Sequence, residues 1–92
     1  DEINDVNNLN MELDLNGDRM QTGNTKTMIF NVDHIVSYVS RYMSLQPGDI
    51  ITTGTPPGVG MGMKPQKFLK AGDEMRLSIE LLGEQKSKVV AI

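Results

Sequence analysis

The sequence predicts a mainly β fold carrying one helix, and three stretches carry that prediction. Leu9, Met11, Leu13 and Leu15 alternate with Asn10, Glu12 and Asp14, and Met75, Leu77, Ile79 and Leu81 alternate with Arg76, Ser78 and Glu80. Alternation with period 2 marks a strand with one buried face. Between these strands Val32, Ile35, Val36, Val39, Tyr42 and Met43 recur at helical spacing, an apolar stripe about three turns long. About five or six strands are expected in all, with the helix packed on a sheet.

Each element follows from local chemistry. The first strand covers residues 9–15 and runs into Asn16-Gly17, the pair best suited to a two-residue hairpin because both central positions need positive φ. Residues 18–22 return as a more polar strand. Residues 23–29 are polar and irregular and read as a loop. Asn31 is placed to cap the helix, and Asp33 in its first turn favours the helix dipole. Pro47-Gly48 closes the helical region. Residues 50–53, Ile-Ile-Thr-Thr, are β-branched throughout and read as a buried strand. Ala71-Gly72-Asp73 repeats the turn chemistry of Pro47-Gly48-Asp49, and each turn is expected to lead into a strand. Leu82-Gly83-Glu84 turns the chain so that residues 86–92 pair back.

Composition excludes several classes of function. Ninety-two residues make one small domain at most, near the lower limit of independent stability. The chain has no cysteine and one histidine, so neither a disulfide nor a multi-histidine metal site can form within it. A net charge of −3 with scattered basic residues argues against a nucleic-acid partner, which needs a concentrated basic face. No apolar stretch approaches the roughly 20 residues of a membrane span. A cytoplasmic location is expected. The opening Asp1-Glu2-Ile3-Asn4-Asp5 lacks an initiator methionine, which suggests a fragment or a processed product.

The sharpest local feature is Thr52-Thr53-Gly54-Thr55-Pro56-Pro57-Gly58-Val59-Gly60. A hydroxyl at Thr55, flanked by glycines that let backbone amides approach a ligand, can bind a carboxylate or an enolate oxygen. A plain surface turn is the competing reading. No Gly-Lys-Ser/Thr follows and no βαβ unit surrounds it, so it is neither a Walker A loop nor a dinucleotide fingerprint.

The ordered series Asn24-Thr25, Met28-Ile29-Phe30, the helix, Leu45-Gln46-Pro47-Gly48-Asp49-Ile50-Ile51-Thr52-Thr53-Gly54-Thr55-Pro56-Pro57-Gly58-Val59-Gly60, Lys70-Ala71-Gly72-Asp73-Glu74 and Leu82-Gly83 resembles the C-terminal part of the fumarylacetoacetate hydrolase superfamily. The resemblance covers nearly the whole chain. It implies that residues 1–92 are a C-terminal fragment of the catalytic domain, built as part of a mixed β-roll. Members cleave, decarboxylate, isomerise or hydrate small 2-oxo and diketo acids, usually at Mg²⁺ or Mn²⁺ and commonly as homodimers. By this likeness Thr55 is the catalytic candidate. Gly54 and Thr55, with Asn24 and Thr25 on a neighbouring loop, bind the anionic substrate. The same motifs resemble members named 2-hydroxyhepta-2,4-diene-1,7-dioate isomerase and ureidoglycolate lyase.

The resemblance implies a Glu-x-Glu pair and further acidic residues for the metal, with a catalytic lysine a little further on, and none of these motifs is present in these residues. No Mg²⁺ or Mn²⁺ is therefore expected on this chain alone, and alone it is expected to be inactive. Glu12-Leu13-Asp14 puts two carboxylates on one strand face, an arrangement that can hold a hard cation. With no further ligand nearby, a solvated face is the expectation. His34 reads as an exposed helix residue. Met11, Met43 and Met75 read as core filler, while Met61 and Met63 lie in the glycine-rich loop. Tyr38 and Tyr42 pack at the helix edge with wet hydroxyls, and Lys64 and Lys67 are solvated charges. The rival to an enzyme is a non-catalytic β module that keeps the scaffold without the metal site.

Overall fold

The computed structural model describes residues 3–92. In chain order the elements are β1 (Asn10–Leu15), β2 (Asp18–Asn24), α1 (Val32–Ser40), β3 (Glu74–Ile79) and β4 (Gly83–Lys88), with 3₁₀ turns at Thr25–Thr27 and Gly60–Gly62. The strands form one antiparallel sheet in the order β2-β1-β3-β4. The mainly β class with one helix holds.

The Asn16-Gly17 hairpin forms as its chemistry dictates, with φ of 51° and 86° at the two positions. Asn16 also ties this turn to the third strand. Its backbone N–H donates to Glu74 O at 2.8 Å, and its Oδ1 accepts from Glu74 N at 2.9 Å. Its Nδ2 donates to Asp73 Oδ1 at 2.9 Å. That bond first, and the Lys70 N–H second, hold the Asp73 carboxyl below the usual carboxylate range.

Residues opposite one another in an antiparallel ladder share a face. Met11, Leu13 and Leu15 therefore share one face with Ile79, Leu77 and Met75, and Glu12 and Asp14 share the other with Ser78 and Arg76. The second face is not merely solvated. Asp14 is only 8% exposed. Arg19 Nε and Arg76 both donate to its carboxylate, the latter through Nε at 3.1 Å and also through Nη2. Glu12 Oε2 lies 2.9 Å from Arg19 Nη2, and Glu84 Oε2 lies 3.0 Å from Arg76 Nη1. The two arginine heads, from β2 and β3, thus bridge carboxylates on β1 and β4, so that the cluster spans all four strands. The Arg19 bond, and then the Arg76 bond, hold the Asp14 carboxyl below the ordinary range.

Three expectations are corrected. Residues 50–53 form no strand, and Ile50 is 87% exposed. β-Branched residues favour extended backbone, but a strand also needs a ladder to pair with, and the described residues offer this segment none. The helix stops at Ser40, about a turn short of Met43, and none of its residues is buried. Its cap is as expected, with Asn31 Oδ1 accepting from His34 N at 2.8 Å. The last strand is Gly83–Lys88 rather than 86–92, because the turn falls earlier, with Leu81 at φ 67° and Leu82 N donating to Ile79 O.

Apart from Asp14, only Leu9 and Leu15 are buried among the described residues. The chain exposes 7535 Å², against about 5,300 Å² for a folded monomer of its mass. Its radius of gyration is 15.7 Å, against about 12 Å for a compact domain of this length. Helix and sheet do not close a shared core.

The charge cluster yields a test. Asp14→Asn leaves the Arg19 and Arg76 guanidinium groups with only the more exposed Glu12 carboxylate between them, and is expected to lower the thermal midpoint by several degrees at neutral pH. A depressed folded pKa contributes stability that is full above the unfolded value of about 3.9 and is lost as pH falls through the folded value. The gap between wild type and Asp14→Asn is therefore expected to narrow below about pH 4. Thermal melts from pH 7 to 3 measure it; a gap independent of pH would count against the pairing.

Candidate functional site

The site begins with one extra residue in β2. Leu13 faces Gln21, but Asp14 faces Arg19, so Met20 is left over as a β-bulge. In a regular strand Arg19 and Gln21, two residues apart, share a face; one added residue reverses the parity. Arg19 joins Asp14 on the charged face, and Gln21 joins Leu13 on the opposite one.

The Gly-Thr-Pro loop docks against this bulge. Gly58 has a φ of +109°, and a Cβ there would lie 1.9 Å from the Met20 carbonyl oxygen. A Cβ on Gly23 would lie 2.8 Å from Pro56 Cβ. Two glycines, one on the loop and one on the strand, let the two backbones approach this closely. Further along, Gly60 O accepts from Lys67 N at 2.9 Å, and a Cβ on Gly60 would lie 1.7 Å from Lys67 O. The polar anchor is Gln21, whose Nε2 donates to Thr55 Oγ1 and to Pro56 O, both at 2.8 Å.

Above this junction lies an open groove of about 760 Å³, within the usual range for small-molecule sites. One wall is the loop, with Ile51, Thr53, Gly54, Thr55, Pro56 and Pro57. The other is the 3₁₀ turn and the start of α1, with Met28, Ile29, Phe30, Val32, Ile35 and Val36. The first half of the apolar stripe, Val32, Ile35 and Val36, expected to pack on the sheet, lines this groove instead. No ionisable side chain is among the lining residues. A Cβ on Gly54 would meet nothing within 4 Å, so the backbone there stands open to a ligand.

Asn24, Thr25, Gly54 and Thr55, the four residues singled out from the sequence, all line this groove. Their side chains are differently engaged. The Asn24 amide donates to Asn8 Oδ1 at 3.1 Å and Asn10 Oδ1 at 2.8 Å, and accepts from Lys26 N at 2.8 Å. It caps the 3₁₀ turn and holds the chain before β1. Thr25 Oγ1 accepts from Leu9 N at 2.9 Å, fixing the wall to a buried leucine. Thr55 is exposed, and its recorded side-chain partner is Gln21.

His34, Met61, Met63, Lys64 and Lys67 do not line the groove. His34 instead stacks between Phe30 and Tyr38 along the helix, at centroid distances of 5.0 and 6.3 Å. Gln21 was invisible to sequence reasoning, because a bulge leaves no mark in the hydrophobic pattern of a polar strand.

No group of three or more potential metal ligands occurs among the described residues. Glu12 and Asp14, the pair with the right spacing, face Arg19 and Arg76. Two guanidinium groups at the carboxylates repel a cation, so these residues do not fit a metal.

The model of the fumarylacetoacetate (FAA) hydrolase C-terminal family matches residues 1–90. The chain belongs to this family. A 2,4-didehydro-3-deoxy-L-rhamnonate hydrolase of a Sphingomonas species is 62% identical over 90 residues, covering 97% of the chain and 32% of that protein. A maleylpyruvate hydrolase from Sphingobium, solved in complex with manganese(II) and pyruvate, is similar with a TM-score of 0.84 and 38% identity. That match covers 97% of the chain and 31% of the hydrolase. A 2-hydroxyhepta-2,4-diene-1,7-dioate isomerase from Mycobacterium marinum gives a TM-score of 0.77 and 35% identity, covering 94% and 31%. The chain thus spans about a third of the length of the family members it matches.

Two glycines distinguish backbone strain from collision. Gly48 has φ +95° with nothing within 4 Å of its Cβ position, whereas Gly58 combines φ +109° with the Met20 carbonyl. Gly48→Ala is expected to cost about 1–3 kcal/mol, the price of an unfavourable backbone conformation. Gly58→Ala is expected to cost clearly more and to free the loop from β2. Denaturant melts with hydrogen exchange at residues 54–60 check this; equal costs would mean the loop is not docked at Met20.

Proposed function

We propose that this chain is the substrate-orienting part of a fumarylacetoacetate hydrolase-family enzyme acting on a small anionic 2-oxo or diketo acid, with hydrolytic C–C cleavage as its leading chemistry. The observation that carries the reading is the groove itself. Thr55, one of three exposed threonines in the lining with Thr27 and Thr53, sits directly beside the open Gly54 backbone in an otherwise largely apolar trough of small-molecule size. An apolar lining strengthens a hydrogen bond to a charged oxygen. A hydroxyl there can donate to a substrate carboxylate or to an oxygen on which negative charge develops.

In this reading Thr55 touches the substrate and Gly54 leaves room for it. Asn24 and Thr25 shape the wall, their polar atoms being taken up in holding the 3₁₀ turn. The hydrolase at 62% identity supports hydrolysis of a sugar-derived diketo acid, and the isomerase neighbour supports isomerisation as the second chemistry. The whole enzyme is proposed to use Mg²⁺ or Mn²⁺, in keeping with the manganese-bound relative. The residues described here supply no ligand set for it, and nothing in the role of Thr55 passes through it. The alternative, a β module without chemistry, predicts an intact groove with no turnover.

The test is kinetic. In the intact enzyme, with 2,4-didehydro-3-deoxy-L-rhamnonate and maleylpyruvate offered as substrates, Thr55→Val is expected to lower kcat/KM by roughly 10²-fold. That is the loss of a charge-assisted or oxyanion hydrogen bond of about 2–4 kcal/mol. Valine keeps the shape and the β-branched preference, so the melting temperature should hardly change. Thr52→Val, which does not line the groove, is the control and should behave as wild type. Equal activity for Thr55→Val and wild type would reduce the loop to a structural turn.

The enzyme is also proposed to assemble as a homodimer, a reading supported by the apolar surface. Phe30, Tyr42, Phe68, Leu69, Leu81 and Leu82 are all exposed, and such surface tends to find a partner. Sedimentation of the isolated 92-residue chain is expected to give a mass above 10.2 kDa. A monomer at high concentration would favour a self-contained domain.

A further inference from the structure

The bond between Gln21 and Thr55 has a direction, and the direction can be deduced. Gln21 Nε2 lies 2.8 Å from Pro56 O as well as 2.8 Å from Thr55 Oγ1. A peptide carbonyl only accepts, so the edge of the amide that faces Pro56 is its NH₂ edge, whichever way oxygen and nitrogen are assigned elsewhere. The NH₂ group has two hydrogens; one goes to each oxygen. Thr55 Oγ1 is then an acceptor in this contact, and its single hydrogen remains to be donated elsewhere.

We propose that Gln21 is a positioning residue that sets the polarity of the Thr55 hydroxyl, making it a donor toward an anionic oxygen in the groove. The proposal rests on the reading of Thr55 as the residue that touches substrate. It follows from the Met20 bulge, which turns Gln21 away from the arginine face and toward the loop. An acceptor in place of the NH₂ would take the threonine hydrogen, and the hydroxyl would then present a lone pair to the substrate's negative charge. The same amide, by donating to Pro56 O, also ties the loop to β2.

The test uses the intact enzyme, saturated with Mn²⁺, with pyruvate as the anionic probe and calorimetry for its Kd. Gln21→Met removes both donors at similar length; Gln21→Glu keeps the shape and replaces NH₂ with an acceptor. Each is made alone, with Thr55→Ser, and with Thr55→Val, and thermal melts confirm folding. Gln21→Met is expected to weaken pyruvate roughly tenfold, the scale of one hydrogen bond to a charged group. The same loss is expected beside Thr55→Ser, and almost none beside Thr55→Val, where no hydroxyl is left to orient. Gln21→Glu is expected to weaken binding at least as much at pH 8 and to recover part of it near pH 5, where a protonated carboxyl can donate. Equal losses in the serine and valine backgrounds would show that Gln21 only props the loop, and would overturn the proposal. So would unchanged pyruvate binding in the Gln21 variants when Thr55→Val binds weakly. A folded Thr55→Val that binds pyruvate as wild type overturns the reading of Thr55 itself, and with it the role of Gln21. If Gln21→Met does not fold, the pH dependence of Gln21→Glu alone decides, and its absence counts against the proposal.

Discussion

One residue of surplus in β2 is the constraint on which the site depends. Strand side chains alternate, so an inserted residue shifts every later side chain to the other face. At Met20 that shift separates two polar residues that a regular strand would put together. Arg19 goes to the carboxylates and Gln21 to the loop. The bulged carbonyl is also the surface against which Gly58 packs. Parity, docking and the hydrogen bond to Thr55 are thus consequences of a single irregularity, consistent with the habit of bulges to sit beside functional loops.

The two sheet faces divide the work. On one, Asp14 is gripped by Arg19 and Arg76, which come from the strands on either side of it. This locks the register of the three strands by charge, where the apolar face has few buried residues to do it by packing. The pairing also settles the meaning of Glu12-Leu13-Asp14. Two carboxylates on a strand face look alike whether they hold a cation or an arginine, and only the third dimension supplies the partner. Arg76 is 62 residues from Asp14 in sequence, beyond the reach of any local pattern.

What the sequence made legible was what depends on neighbours in the chain. The β1–β2 hairpin follows from strict alternation and from Asn16-Gly17. The helix start follows from Asn31. The four groove-lining candidates follow from an ordered set of family motifs. What it did not disclose depends on pairing across space. Ile50 and Ile51 have the propensity of a strand and no ladder to join. Tyr42 and Met43 continue the helical spacing after the helix has ended. Gln21 is an ordinary polar residue until the bulge at Met20, between it and Arg19, turns it around. The helix stripe is a face but not a core, since periodicity says that one side differs, not what covers it.

That stripe has a consequence for how the groove can change shape. Val32, Ile35 and Val36 shape one wall of the groove, whereas the sheet is held by Leu9, Leu15 and the Asp14 cluster. The residues that set the width of the trough are not those that hold the scaffold together. Substitutions on the helix can widen, narrow or re-contour the wall while the register of the sheet stays as it was. The usual conflict between acquiring a new activity and keeping a folded protein is thereby eased by architecture. A change in the contour of that wall can be confined to one short helix, with Thr55, Gln21 and the Met20 bulge left in place.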